Sequence, residues 1–358
     1  MPQRRHILTP AMKLGMRSML PQRAVVERAY RFVDDEGMLP LLKRQSHFTD
    51  DAAKDRLEAE LGYRLHDRTR RRMIDILFAL LNEAGVLRQD GERYLVADDA
   101  RLPVLLDAAD RSLLKESLPG QSAFFDLCTA NAAAFLRGEP SRVRFDEESS
   151  GHWQYFLENE EYAYARSLLA GMLIRERKRE ARLLDLCCGT GAGALMIRRL
   201  WPDVSVTVID AHDFAGIADT IACDKAIVWD SSLIWQGFGT PVPFSDGSFD
   251  AVLFACADPY IPAALREYVY ADILRILRPG GSLGVLSRSL PDAACRYVRD
   301  PWMRKAALAH DFLESVCGGW QGFSDPHQSA GLFARVGYTV DRIMLDATIW
   351  KLDKPGKE

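Results

Sequence analysis

The chain has 358 residues, of which 48% are hydrophobic, so it can bury a large core and has the length of about two domains. Its formal net charge of -4 provides no general attraction to nucleic acid or acidic membranes and favours a small-molecule partner. No apolar stretch approaches the roughly 18 residues that span a bilayer, and the basic start MPQRRHILTPAMK lacks a signal-peptide core. We therefore expect a cytoplasmic protein that does not act at a membrane.

The cysteines give information about redox state and metals. There are 7, they form no C-x-x-C pair, and most lie within apolar runs. We expect reduced, packed thiols and neither a disulfide framework nor a metal site.

The first hundred residues predict two helices and a hairpin. FTDDAAKDRLEAELG begins with capping residues and ends in glycine, and Asp67 then begins a second helix, RTRRRMIDILFALLNEAG, with apolar residues at helical spacing. VLRQDGERYLV predicts two short strands joined by Asp90-Gly91, because glycine accepts the positive φ of a tight turn. This order of elements is that of a winged-helix unit.

A winged helix can bind DNA or support dimerisation. Four arginines suit phosphate contacts at the start of the second helix: Arg68, Arg70, Arg71 and Arg72. Because they form one cluster in an acidic chain, we favour a solvated face on a dimerisation module, with a DNA-binding regulator as the alternative. Residues 103–180 are predicted to be mainly helical and to link the two domains.

From residue 182 strands alternate with helices, which is typical of a parallel sheet covered on both faces. In LLDLCCGTGAGA, Gly189 and Gly191 let the backbone approach a ligand, and the following helix start directs N–H groups toward it. Asp210 ends the next strand, about 20 residues further on, where a carboxylate can accept hydrogen bonds from both ribose hydroxyls. The spacing predicts a nucleotide site.

Two nucleotides fit this loop. Gly189, Gly191 and Ala194 satisfy a loose dinucleotide pattern, so NAD is an alternative. Asp185 is less expected for NAD and is typical of loops that hold a cationic amino-acid moiety, although it can also cap a helix or brace the loop.

Three downstream segments accompany the loop: PVPFSDGSFDAVLFACA, ADILRILRPGGSLGVLS and AGLFARVGYTVDRIML. With the loop and Asp210, the first two of these resemble class I S-adenosylmethionine-dependent methyltransferases, over roughly residues 180 to 350. FLRGEP and the segment around Trp153 extend the resemblance to small-molecule O-methyltransferases with an N-terminal winged-helix dimerisation domain, although core packing can also explain Trp153.

The resemblance implies a fold and a set of cofactor contacts. The fold is α/β, a Rossmann-like seven-stranded methyltransferase domain at 181–358 preceded by a mainly α-helical winged-helix dimerisation domain at 1–102, with a connector at 103–180 that shapes the substrate pocket. The residues implied to contact S-adenosylmethionine are Asp185, Cys187, Gly189, Gly191, Asp210, Phe238 and Ala255.

Two of these positions depart from the family pattern. Cys187 replaces the first glycine of the loop, which costs little provided that the residue keeps negative φ, and we expect inert packing for its thiol. Gly237-Phe238 stands where the family has Gly-Asp for the adenine, so Phe238 can stack on the ring; Asp230 is an alternative acid if the third strand starts earlier.

A third departure concerns catalysis. The histidine that O-methyltransferases of this branch present after the fourth strand is missing, since the segment here is ACADPYIP. Three groups can replace it: Asp258, His310 in a helix expected to cover the pocket, and His327 near the start of the helix before the last strand. Each also has a structural interpretation, as a turn carboxylate, a packed or surface histidine, and a solvated helix start.

The sequence thus predicts a homodimeric methyltransferase that uses S-adenosylmethionine on a small, largely apolar or aromatic acceptor. Oxygen, carbon and nitrogen are all candidate methylation sites, but the missing histidine disfavours methylation of a plain phenol oxygen and leaves carbon or nitrogen methylation, or a substrate that arrives ionised. The alternatives are a winged-helix regulator and a family member that binds the cofactor without methylating.

Overall fold

The computed structural model describes residues 19–44, 47–97, 100–158, 163–175, 181–211 and 214–356. The helices in chain order are α1 (Leu20–Asp35), α2 (Met38–Lys43), α3 (Asp50–Leu61), α4 (Arg68–Glu83), α5 (Ala108–Ser117), α6 (Pro119–Leu136), α7 (Glu147–Glu158), α8 (Ala163–Arg175), α9 (Ala192–Leu200), α10 (Phe214–Asp224), α11 (Arg266–Ile276), α12 (Pro301–Glu314) and α13 (Pro326–Val336). The strands are β1 (Phe48–Thr49), β2 (Leu87–Asp90), β3 (Arg93–Val96), β4 (Arg182–Leu186), β5 (Ser205–Ala211), β6 (Ser231–Trp235), β7 (Phe249–Ala255), β8 (Leu277–Leu286), β9 (Thr339–Met344) and β10 (Ile349–Asp353).

Contacts divide the chain into two units. The first contains the described residues up to Val143 together with Asp300–Gly318, and the second contains Arg144–Glu158, the described residues from 163 to Arg299, and those from Gly319 onward. The predicted connector at 103–180 is thus divided between the units, and α12, which we placed in the methyltransferase domain, belongs to the first unit.

The first unit has the predicted helices and hairpin. The Thr49 side chain caps α3 by accepting a hydrogen bond from the Ala52 N–H, and Asp67 caps α4 in the same way through the Arg70 N–H at 3.0 Å. Gly91 has a φ of 58° in the turn between β2 and β3, and β1 completes an antiparallel sheet in the order β1-β3-β2. The predicted order of helices and strands is confirmed. That this unit is a winged-helix dimerisation domain stays a prediction.

Helix α12 packs against α1 and α4 within the first unit. Two ion pairs fix it to α4: Arg72 contacts Asp311 with both terminal nitrogens, the Nη1–Oδ1 distance being 2.8 Å, and Arg304 Nε donates to Glu83 Oε1 at 3.0 Å. Asp311 is fully buried, so its charge requires this partner.

Most of the clustered arginines on α4 bind to other groups of the same chain. Arg70 donates to the Phe135 carbonyl at 2.6 Å, Arg71 pairs with Asp51, and Arg72 pairs with Asp311. Three of the four guanidinium groups thus already have intramolecular partners, which disfavours the interpretation of this helix as a phosphate-binding surface.

The second unit contains the predicted seven-stranded sheet, in the order β6-β5-β4-β7-β8-β10-β9. Strands β4 to β8 pair in parallel, and β10 is antiparallel to both β8 and β9. The predicted Rossmann-like fold is confirmed. Strand β7 is buried at every position before Ala255, as expected for a central parallel strand covered on both faces.

Among the residues that the structure describes, no helix is long and apolar enough to cross a membrane.

Candidate functional site

The strand order places a ligand site at one end of the sheet. The chain runs outward from β4 to β5 and β6, and then returns to the other side of β4 as β7. Ligands of open α/β sheets bind beyond the carboxyl ends of the strands where the order reverses in this way. The glycine loop follows β4 at this point.

The two glycines have different roles. Gly191 has a φ of 81°, and a Cβ built there lies 3.1 Å from the Ala218 Cβ and 3.2 Å from the Trp229 ring, so a larger residue would be both strained and crowded. Gly189 has a φ of 55°, and a Cβ there meets only Leu157, at 3.9 Å. The loop is therefore packed at Gly191 and open to a ligand at Gly189.

Asp210 is joined to the same loop. Its Oδ2 accepts a hydrogen bond from the backbone N–H of Gly189 at 2.6 Å, and the Cys188 N–H donates to the neighbouring Ile209 carbonyl at 3.2 Å. The structure thus brings together the loop and the carboxylate that the sequence assigned to one nucleotide.

Asp185 lies beneath the loop and is 2% exposed. Its Oδ2 accepts a hydrogen bond from the Ala194 N–H at 2.7 Å, and a Cβ on Gly193 would lie 2.5 Å from that oxygen. Burial raises the pKa of Asp185 to about 7, against the lowering effects of the Arg166 charge and the Ala194 N–H. The bond from Ala194 agrees with the bracing interpretation, and the carboxyl group is also one whose charge a nearby cation would stabilise. Arg166, on α8, was missed because nothing in sequence places it near Asp185.

Cys187 does not have the negative φ that would let a cysteine replace the family's glycine at little cost. We expected negative φ, but its φ is 56°, the left-handed conformation that the family's glycine would adopt without cost. Burial, followed by the charges of Asp210 and Asp185, raises the pKa of the Cys187 thiol well above its ordinary value. The physical setting thus agrees with an unreactive thiol on a strained turn.

At the position where the sequence predicts the adenine contact, the structure has the aromatic Phe238 and no acidic residue. Phe238 follows the carboxyl end of β6, and its ring packs edge-on against Trp235 at 5.6 Å between centroids. The alternative acid, Asp230, precedes β6 at the amino end of the sheet, where its Oδ2 accepts from the Val206 N–H at 2.6 Å. Asp230 therefore lies at the wrong end of the sheet for the adenine. Ala255 ends β7, so it lies at the same end as the loop.

The contacts of Asp258 do not favour a proton acceptor. It lies just after β7 and is 4% exposed. Its carboxylate accepts hydrogen bonds from Arg266 at 2.8 Å, from the Tyr270 hydroxyl, and from the Ser324 hydroxyl at 3.1 Å. Because a guanidinium and two hydroxyls already donate to this carboxylate, its contacts support the structural interpretation.

His310 is a packed residue of the first unit. Its ring lies 4.8 Å from the Phe125 ring in an edge-on contact, and its Nε2 contacts the Glu314 carboxylate one helical turn later. These contacts support packing within α12 rather than the catalytic role that we considered.

His327 has the geometry of an oriented base. It lies in the first turn of α13, its side chain is 41% exposed, and its Nε2 lies 3.4 Å from Asp292 Oδ2. The Tyr297 ring packs edge-on against the imidazole at 4.8 Å. Asp292 follows the carboxyl end of β8. Burial alone would raise the pKa of Asp292, but hydrogen bonds from the backbone N–H groups of residues 296–298 outweigh it and lower the pKa to about 2. The sequence identified His327 but not its partner.

Aromatic side chains line the same end of the second unit. Trp153 donates from Nε1 to the Arg144 carbonyl at 2.9 Å and stacks on Phe145 with centroids 4.7 Å apart. Phe145 also meets Tyr260, just after β7, and Phe214, just after β5. Phe145 is 40% exposed and was missed because a lone phenylalanine in a polar loop carries no distinctive pattern.

Whether the site fits S-adenosylmethionine can be tested on its buried polar atoms. Thr190, in the loop, is 1% exposed, and its hydroxyl has no hydrogen-bond partner among the described residues. A polar cofactor headgroup would satisfy such a hydroxyl. The open face of Gly189 and the buried carboxyl of Asp185 also fit a nucleoside with a cationic amino-acid end. Among the described residues, no group of three or more His, Cys, Asp or Glu side chains can hold a metal ion.

Residues 183–281 match the family model described as a methyltransferase domain. A sterol 24-C-methyltransferase of Gibberella zeae is 32% identical over 31% of this chain and 28% of its own length. A 2-phytyl-1,4-naphtoquinone methyltransferase of Synechococcus elongatus is 26% identical over 44% of this chain and 70% of its own length. The match therefore spans less than a third of the first relative and about two thirds of the second.

Solved structures share the fold over nearly the whole chain. The CurJ carbon methyltransferase superposes with a TM-score of 0.66 at 16% identity, covering 98% of this chain and 94% of that one. An O-methyltransferase family protein from Burkholderia thailandensis superposes with a TM-score of 0.54 at 14% identity, covering 96% and 97%. At these identities the likeness establishes the fold.

Residues 183–281 thus carry a methyltransferase domain, and the sheet order and glycine loop are those expected of the class I S-adenosylmethionine-dependent enzymes that the sequence resembles. S-adenosylmethionine is the cofactor of this class, and the resemblance found in the sequence is confirmed at this level. The fold is the one found in the O-methyltransferase family, with its helical N-terminal region.

Proposed function

We propose that the whole chain transfers the methyl group of S-adenosylmethionine to a small, largely apolar or aromatic metabolite. The observation that carries the proposal is the contact between Asp210 and Gly189, which joins a ribose-binding carboxylate to an open nucleotide loop. Bound S-adenosylmethionine supplies a sulfonium methyl that is already activated, so the chain has to position the acceptor in line and exclude water.

Each cofactor-binding residue has a distinct task in this proposal. Asp210 accepts the ribose hydroxyls, Phe238 stacks on the adenine, and Asp185 stabilises the ammonium of the amino-acid end. The N–H groups at the start of α9 face the same end of the sheet, and Ala255 bounds the site on the β7 side. The buried acid at Asp185 favours S-adenosylmethionine over NAD, because S-adenosylmethionine carries a free ammonium group and NAD does not.

The acceptor side depends on His327 and Asp292. The ionised Asp292 accepts a hydrogen bond from one imidazole nitrogen and so orients the other nitrogen to take a proton. Such a base suits a weakly acidic carbon acid, phenol or amine. The carbon methyltransferase fold neighbour and the quinone-ring relative are both compatible with a conjugated acceptor, so we favour carbon or oxygen methylation of a conjugated ring or ketone.

In this proposal the exposed face of Phe145 binds the acceptor. Phe145 is fixed by Trp153 behind it and lies between residues that follow β5 and β7, so a flat apolar acceptor can pack on it beside the cofactor site. Homodimer formation through the first unit and a cytoplasmic location remain predictions from sequence.

The test is methyl transfer from labelled S-adenosylmethionine to a panel of naphthoquinols, phenols and β-keto thioesters. We expect label in at least one conjugated acceptor, and much less of it with the Asp210→Ala variant at the same subsaturating cofactor concentration. Tight, salt-sensitive DNA binding without transfer to any acceptor would favour the regulator instead.

A further inference from the structure

The first unit contains a cavity that is lined by charged side chains. It has a volume of about 100 Å³ and lies between α1, α5 and the start of α6. Six charged side chains line it: Glu27, Arg28, Arg31, Arg111, Lys115 and Asp126. Four are basic and two are acidic, so the lining is positive although the chain as a whole is acidic.

The two acidic residues are already neutralised within the protein. Glu27 is 5% exposed and accepts hydrogen bonds from the Leu105 N–H at 3.0 Å, the Leu106 N–H at 2.7 Å and Arg111 Nη2 at 2.7 Å. Asp126 accepts from Arg28 Nε at 2.8 Å. Neither carboxylate therefore needs the remaining cations.

Two of the basic residues keep donors for a ligand. Arg28 is fully used, because its other nitrogens donate to the Ala24 and Ser122 carbonyls. Arg31 forms a long ion pair with Asp126, at 4.0 Å, with no hydrogen bond between them, and its side chain is 53% exposed. Lys115 is exposed and has no partner among the described residues. The surplus positive charge of the cavity therefore resides on Arg31 and Lys115.

The size and charge of the cavity define its ligand. Pockets for drug-sized molecules have volumes of roughly 300–1,000 Å³, so this one suits a single compact group. An arginine beside a lysine is a common pair for phosphate, because the guanidinium offers directed donors and the ammonium a point charge. We propose that this cavity binds the phosphate group of a small phosphorylated molecule or free phosphate.

Leu106 and Leu114 also line the cavity and provide an apolar wall. An organic phosphate with a short apolar part would therefore gain contact area that inorganic phosphate lacks. Phenyl phosphate and inorganic phosphate are the two probes that distinguish these sources.

The experiment is calorimetric titration of the full chain at low salt with each probe. We expect saturable binding of one phosphate per chain with a Kd below ~1 mM, weakened at least tenfold in the Arg31→Gln/Lys115→Gln double variant. The matched control is Arg88→Gln, an exposed arginine on β2 outside the cavity, which is expected to bind like the wild type.

Tighter binding of phenyl phosphate would identify an organic phosphate, and equal binding would identify free phosphate. Circular dichroism is used to verify that the double variant is folded, which is expected because both side chains are exposed. No saturable binding, or equal binding by the folded double variant, would overturn the proposal. So would loss of a dimer in the double variant without any phosphate binding by the wild type, because a carboxylate of a second copy would then occupy the cavity.

Discussion

Asp210 and Gly189 are joined by a 2.6 Å hydrogen bond between the carboxylate Oδ2 and the backbone N–H. The bond connects the end of β5 to the loop after β4 and holds the carboxylate beside the open face of Gly189. A carboxylate has about four acceptor positions, so the bond to Gly189 does not by itself prevent Asp210 from accepting the ribose hydroxyls.

Replacing Asp210 therefore tests the cofactor site. Asp210→Ala removes both the loop contact and the ribose acceptor, so we expect affinity for S-adenosylhomocysteine to fall about 10- to 100-fold in calorimetry. Asp210→Asn retains an oxygen for the Gly189 N–H and is expected to lose less. Asp230→Asn, at the opposite end of the sheet, is the control, and an effect as large as that of Asp210→Ala would contradict our placement of the ribose.

Cofactor affinity is expected to depend on pH through Asp185. The pKa of this buried carboxyl is about 7 before a cation binds, and the ammonium of the cofactor favours the ionised form. Below pH 7 binding has to expel a proton, so affinity is expected to fall up to tenfold per pH unit, measured by calorimetry between pH 5 and pH 8. The Asp185→Asn variant is expected to show a flatter profile, and an unchanged slope in that variant would exclude Asp185 as the source.

The same pKa has the opposite consequence for the protein without cofactor. The folded pKa of Asp185 lies above the ordinary aspartate value of 3.8, so the folded state binds more protons than the unfolded state between these two pH values. The contribution of this group to stability is thus complete below the unfolded pKa and is lost as the pH rises through about 7. In urea titrations, Asp185→Asn is expected to be more favourable relative to the wild type at pH 8 than at pH 5.

His327 and Asp292 are expected to act on the acceptor and not on the cofactor. His327→Ala should lower kcat about 10²- to 10⁴-fold while the Kd for S-adenosylhomocysteine stays constant. Asp292→Asn removes the orienting charge and is expected to lower kcat by a smaller factor. His152→Ala, an exposed histidine on α7, is the control. Normal turnover by His327→Ala on a phenol or carbon acid would show that another group takes the proton.

The left-handed backbone at Cys187 predicts which side chains the turn accepts. Cys187→Val places a β-branched residue at a φ of 56° and is expected to lower the free energy of unfolding by about 1–2 kcal/mol. Cys187→Gly, with no Cβ to strain, is expected to unfold at the wild-type urea concentration or above. A valine variant as stable as the wild type would mean that the turn can adopt negative φ.

The nucleotide loop could be predicted from sequence because its requirements are local. Glycine at 189 and 191 and an acid at the end of the next strand meet stereochemical demands that any such turn makes. The sign of φ at Cys187 could not be predicted, because a cysteine in an apolar run carries no mark of left-handed backbone.

The proposed acceptor site could be predicted only in part, because it is formed by contacts between segments that are distant in sequence. The position of Asp258 after a strand was visible, whereas its bonds to Arg266, Tyr270 and Ser324 depend on how three segments meet. Likewise, an amphipathic pattern predicts that α12 has a buried face, but it does not indicate that this face packs on α1 and α4. The pairing of His327 with Asp292, 35 residues away, could not be predicted for the same reason.

The proposed function depends on the binding of S-adenosylmethionine at the end of the sheet around Gly189 and Asp210. Parallel titrations of the wild type with S-adenosylhomocysteine and with NAD test it most directly. We predict saturable binding of one S-adenosylhomocysteine per chain and none of NAD. Binding of NAD in its place, or no binding of S-adenosylhomocysteine by folded protein, would contradict the account.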